Sequence, residues 1–232
     1  MPVQKLTNKR ATSLTPQVVT MIVDDSGSMS SSTTAGPKNE QATSATKQLV
    51  MTMQSWNQGR TQATGSRYIL NIAKFGSSTT SIAEAAKPEG VSLHDLVFAA
   101  DSGGTEMPEA LTWASQAVQK ALAECRKIPG YTEEASPNPL VLFFSDGENT
   151  GGDVGPAAKA LKAIPFVGGS VDVVAIGIGM DQKDFPIMEG IASRPELAVN
   201  IDPAEVAEFI AEVGATLQRG ESPETLIKKY DS

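Results

Sequence analysis

The stretch 19-VTMIVDDSGSMSSS-32 decides the fold, because an apolar run drives straight into two aspartates and a string of hydroxyl side chains. Taken from Val18 to Val23, the run has the pattern of a strand buried on both faces of a parallel sheet. Such a strand meets polar residues only where the chain leaves the sheet, so Asp24, Ser26 and Ser28 are delivered to one edge of it.

Working outward, strands and helices alternate. The segment 30-SSSTTAGPKN-39 is too rich in Gly, Pro and hydroxyl residues to be regular, and reads as a loop. Ala42, Ala45, Leu49, Met53 and Trp56 then recur at three- and four-residue steps, which predicts a helix from about Glu40 to Trp56 with one buried face. Tyr68 to Phe75 reads as a second strand, and GSST followed by TSIAEA as a turn into a short antiparallel third. After SGGTEMPEA, the stripe Leu111, Ala114, Val118, Leu122 and Cys125 marks another helix, with Pro108 suited to its first turn. Leu140 to Phe144 is a buried run ending in SDG; Ala157 to Ala163 a short helix; Val171 to Ile178 a strand finishing in glycines. Phe185, Met188 and Ile191 mark one more helix, and Ala198 to Ile201 a short edge strand. Asp202, Pro203 and Glu205 supply an N-cap, a first-turn proline and a capping-box glutamate before Val206, Phe209, Ile210, Val213 and Leu217.

This order predicts an α/β fold: a doubly wound, mostly parallel central sheet with one antiparallel edge strand and helices on both faces. Residues 17–219 would form the domain, with an extension at 1–16 and a tail at 220–232 that packs back or frays. Ligands in such sheets bind beyond the carboxyl ends of the strands, where strand order reverses. The loops after Val23 and Phe144, and the GGT loop at 103–105, are therefore where function is expected.

Composition narrows the classes. With 40% hydrophobic and 20% charged residues in 232, the chain can bury a sizeable core, and its net charge of −8 argues against nucleic acid as partner. The first residues lack the apolar core of a signal peptide, and no later run approaches the roughly 20 residues that span a bilayer. The expectation is a soluble, cytoplasmic protein without a membrane partner. Cys125 falls on a helix stripe and reads as a buried small hydrophobe, His94 as an ordinary partly buried side chain, and Trp56 and Trp113 as packing residues. Glu106, Glu148 and Asp153 read as solvated acids or caps.

The three loops carry Asp24, Ser26, Ser28, Thr105 and Asp146, all short oxygen-bearing side chains. Hard divalent cations such as magnesium take about six oxygens in octahedral geometry, and the absence of His and Cys from the set disfavours zinc. Gly27, Gly103, Gly104 and Gly147 would give the backbone its sharp turns beside them.

D-x-S-x-S at Asp24 to Ser28 with Met29 after it, GGT at Gly103 to Thr105 and SDG at Ser145 to Gly147 resemble the metal-ion-dependent adhesion site of von Willebrand factor type A domains. The resemblance implies a metal at the top of the sheet, with Ser26, Ser28 and Thr105 as direct ligands and Asp24 and Asp146 acting largely through water. Thr105 would sit on a loop outside the core, and a partner's carboxylate or water would complete the coordination. Magnesium is the implied ion, with manganese or calcium as alternatives. The chain further resembles bacterial stand-alone members, including those of tellurite-resistance and kinase–phosphatase gene sets, which implies a stress-response or signalling setting. It departs from the family pattern in Asp25, an extra negative charge, and in the length of the 30–39 loop, which would lie beside the metal.

Three functions follow as expectations. The first is a non-enzymatic, metal-dependent adaptor that captures an acidic residue of a protein partner and takes no small-molecule substrate. The second is a magnesium-dependent phosphohydrolase, since aspartyl-phosphate phosphatases carry their nucleophile after a first strand; they place a second aspartate two residues on, where this chain has Ser26. The third is a structural subunit of an ATPase-linked assembly.

Overall fold

The computed structural model describes residues 9–57, 67–147, 149–227 and 230. Its strands are β1 (Gln17–Asp24), β2 (Ser32–Thr33), β3 (Gly36–Pro37), β4 (Tyr68–Phe75), β5 (Thr79–Ala86), β6 (Leu140–Ser145), β7 (Asp172–Ile178) and β8 (Ala198–Ile201). Its helices are α1 (Lys38–Asn57), α2 (Met107–Cys125), α3 (Gly155–Lys162), α4 (Phe185–Ile191), α5 (Val206–Arg219) and α6 (Pro223–Ile227). Six strands form one sheet in the order β5-β4-β1-β6-β7-β8, parallel throughout except for the β4–β5 pair. Strand order therefore reverses between β1 and β6, and the crevice expected of a doubly wound sheet opens above Asp24 and Ser145.

Burial explains why the runs are apolar. Every residue of β6, and all of β1 after Gln17, is buried, because helices cover both faces: α1 packs on α5, while α2 packs on α3 and α3 on α4. The rings of Phe75 and Phe143, on strands either side of β1, meet at 5.1 Å with their planes tilted by 35°. Cys125 is fully buried, and burial pushes its thiol up to about 11, out of the reactive range. Asp202 caps as its position predicts, accepting the Ala204 N–H at 2.8 Å, but Glu205 makes no return bond; a short turn at Pro203–Glu205 leads into α5 instead. After α5, Ile227 is buried and the Tyr230 ring meets Phe209 edge-on at 5.1 Å, so these two residues of the tail pack back on the domain.

Two expectations are corrected. His94 is not partly buried, since its side chain is 98% exposed. The 30–39 loop is not irregular: a turn at Gly27–Ser30 is followed by the hairpin β2–β3, closed by Thr33 Oγ1 donating to the Gly36 carbonyl at 2.7 Å, with Gly36 at φ +106°. Hydroxyl side chains bonding to nearby backbone supply order that hydropathy alone does not report.

Candidate metal centre

Asp24 ends β1 with its side chain fully buried. One carboxylate oxygen accepts the Ser26 N–H at 2.8 Å and the other the Ser145 hydroxyl at 2.5 Å. Burial nevertheless wins: it pushes the carboxyl from 3.8 up to about 6, against the downward pull of those bonds and with a smaller upward push from Asp146. The register that pairs Val23 with Phe144 sets Asp24 beside Ser145, and Asp146 follows β6 by one residue.

Ser26 and Ser28 flank Gly27 at the turn over β1, and Met29, fully buried, roots that turn in the core. Burying a methionine is worth roughly 1.5–3 kcal/mol, enough to hold the two hydroxyls in place. Their oxygens stand 3.0 Å apart, and the Ser28 hydroxyl donates to Asp146 Oδ1 at 2.7 Å. Gly147 matters here by its missing side chain, not by its backbone angle: a Cβ would lie 3.2 Å from Ser28 Oγ. None of Gly27, Gly103, Gly104 and Gly147 has a positive φ; at Gly104, as at Gly147, the missing side chain allows a close approach, since a Cβ there would lie 3.2 Å from Thr150 Oγ1.

Thr105 reaches the same rim indirectly. Gly27 N–H donates to the Ser102 carbonyl at 2.9 Å and Ser102 N–H to the Asp25 carbonyl at 3.1 Å, which sews the segment just before GGT to the β1 loop, while Glu106 N–H donates to the Gly76 carbonyl at 2.8 Å and ties the far end of GGT to the turn after β4. Thr105 lies in a loop yet is only 5% exposed, a correction to its expected place outside the core. Its N–H donates to Thr150 Oγ1 at 2.8 Å, while its own hydroxyl makes no hydrogen bond among the described residues. No direct bond joins it to the other four.

The donors fit a hard divalent ion. Six oxygens placed octahedrally at about 2.1 Å put neighbouring oxygens about 3.0 Å apart, the separation of the Ser26 and Ser28 hydroxyls. Among the described residues no three His, Cys, Asp or Glu side chains converge, so the cluster is one of hydroxyls and two carboxylates. Three residues that matter were not legible as site residues. Ser145 holds Asp24. Asp25, buried, accepts the Ala100 N–H and the Lys74 ammonium, each at 2.8 Å, so its charge is spent inside the fold and not on the rim. Lys38 puts its ammonium 2.8 Å from Asp146 Oδ2. Glu148 lies outside the described residues, and Asp153 accepts the Gly155 N–H at 2.9 Å at the start of α3.

The family model of the von Willebrand factor type A domain matches residues 19–212. The chain belongs to this family. Solved structures agree on the fold of the type A domain. Proximal thread matrix protein 1 from the mussel byssus, described with a zinc-occupied metal-ion-dependent adhesion site, superimposes with TM-score 0.63 at 17% identity over 90% of this chain and 49% of that one. The type A domain of a type V pili tip protein from Porphyromonas gingivalis gives 0.64 at 11% identity, covering 90% and 97% of the two chains. The pilus adhesin SpaC from Lactobacillus rhamnosus GG gives 0.64 at 15%, over 97% of this chain and 34% of that one. This type A domain thus spans about half the length of the mussel protein and a third of the adhesin. No curated protein sequence matches the chain.

Proposed function

We propose that the domain is a metal-dependent protein-interaction module. A divalent cation, magnesium in the first instance, is held by Ser26, Ser28 and Thr105 with Asp24 and Asp146 behind them, and takes a carboxylate from a protein partner. The ion would supply a concentrated positive charge that a partner's acidic side chain can enter. The observation that carries this reading is the cluster itself: the Ser26 and Ser28 hydroxyls stand 3.0 Å apart with Ser28 on Asp146, and the Thr105 hydroxyl, on a loop whose approach is bonded to the β1 loop, makes no hydrogen bond among the described residues. The zinc-occupied site of the mussel protein and the adhesive role in the name of the pilus protein support it by analogy.

We also propose that it is not a phosphohydrolase. An aspartyl nucleophile needs an accessible carboxylate oxygen, whereas Asp24 is fully buried with each oxygen holding a hydrogen bond. The test pairs two measurements. Calorimetry should find uptake of magnesium or manganese at one site of modest affinity, lost in Asp146→Ala. Affinity capture from the native cell should yield a partner that disappears both with EDTA and with Asp146→Ala. A folded protein that takes up no metal at millimolar concentration would refute the metal reading, and metal-dependent phosphate release lost in Asp24→Ala would restore the enzyme.

A further inference from the structure

The 30–39 insertion ends by handing a lysine to the site. The β2–β3 hairpin turns the chain back, Lys38 N–H donates to the Ser31 carbonyl at 3.2 Å, Gln41 Nε2 donates to the Ala35 carbonyl, and Lys38 becomes the first residue of α1. Its stem runs over Gly179, where an added Cβ would come 3.7 Å from Lys38 Cε. The ammonium reaches Asp146 Oδ2 at 2.8 Å and the Gly179 carbonyl at 3.4 Å. The lysine side chain is 12% exposed and that of Asp146 1%, so this is a largely desolvated pair at the rim. With Ser28 on the other oxygen, both Asp146 oxygens are engaged by protein donors.

A compact ammonium with three donors is the nearest thing a side chain offers to a small cation. Asp25 is already matched by Lys74, and among the described residues the carboxylate paired with Lys38 is that of Asp146. A divalent ion drawn to the same carboxylate would face a positive neighbour in a poorly solvated site, where like charges repel strongly. We propose that Lys38 is a tethered cation that competes with the divalent ion for Asp146, holding the site in a metal-free resting state and weakening metal affinity. This rests on the metal reading above. Binding of the ion displaces the ammonium from the carboxylate toward solvent.

The experiment compares the full chain with Lys38→Met, which keeps the buried stem without the charge, and Lys38→Arg, which keeps the charge. Calorimetry with manganese should give at least a tenfold tighter Kd for Lys38→Met and a value within about threefold of wild type for Lys38→Arg. In wild type, acetylation of Lys38 by an amine-reactive reagent, read by mass spectrometry, should rise when manganese is added and fall again with EDTA. Equal or weaker binding by Lys38→Met, or acetylation of Lys38 unchanged by saturating manganese, would overturn it while leaving the metal reading standing. Uptake by neither protein would overturn both.

Discussion

Asp24→Asn should stabilise the metal-free protein while abolishing its metal binding. The asparagine has the same shape and its carbonyl can still accept the Ser26 N–H, which the aspartate now holds at 2.8 Å. What it removes is a buried charge. Burial raises the Asp24 carboxyl from 3.8 to about 6, and each unit of that difference is worth about 1.36 kcal/mol, so ionised Asp24 costs the fold on the order of 3 kcal/mol. The sign follows from proton binding: between those two values the folded state holds the proton that the unfolded chain releases, so stability is full below about pH 3.8 and is lost as pH rises through about 6. At pH 7 in EDTA the asparagine variant should therefore be more stable by up to about 3 kcal/mol, which for a chain of this length means a melting temperature higher by about 6–12 °C. The gain should shrink as pH falls and vanish near pH 4. Thermal unfolding followed by circular dichroism between pH 4 and 7.5, always in EDTA, measures it. A variant less stable than wild type at pH 7, or a gain that does not change with pH, would refute the reasoning and show that the hydrogen bonds of the carboxylate outweigh its burial.

Metal affinity should rise as pH rises through about 6, close to tenfold per unit below that point, because the ionised Asp24 behind the ligands offsets the ion's charge and the protonated one does not; calorimetry from pH 5 to 7.5 should level off near neutrality. Thr105→Val replaces a hydroxyl that makes no hydrogen bond among the described residues, so stability should change by less than about 0.5 kcal/mol. Metal-dependent capture of a partner should nonetheless fall at least about tenfold in that variant, and an unchanged affinity would remove Thr105 from the site. Gly76→Ala would drive a methyl into the Ser102 side chain and to 3.2 Å from the Gly104 carbonyl, so it should destabilise by about 1–3 kcal/mol and weaken metal uptake by shifting the GGT loop. Denaturant melts and calorimetry on the same sample separate those two effects.

The strands and helices were legible because their signals are local. Tyr68 to Phe75 is a strand with the ends its apolar pattern predicts, and Asp202 caps the short turn that leads into α5 through residues within one turn of it. Errors fell where local signals are ambiguous. A run of serines and threonines looks unstructured by hydropathy, yet the Thr33 hydroxyl closes the β2–β3 hairpin, and His94, between Leu93 and Asp95 in a segment otherwise rich in apolar residues, turns its side chain to solvent.

By itself the sequence determined the alternation of elements, the α/β class and the three oxygen-bearing loops, because periodicity, turn residues and strand ends are written within a few positions of each other. Only the tertiary structure decided what each charge on those loops answers to. Lys38 meets Asp146 across 108 residues of chain, and Ser145 meets Asp24 across 121. Asp25 finds Lys74 and the Ala100 N–H, which withdraws it from the rim. Such pairings depend on strand order and register in the sheet, and on the turn that roots Met29 in the core, none of which is encoded by the spacing of the residues that meet.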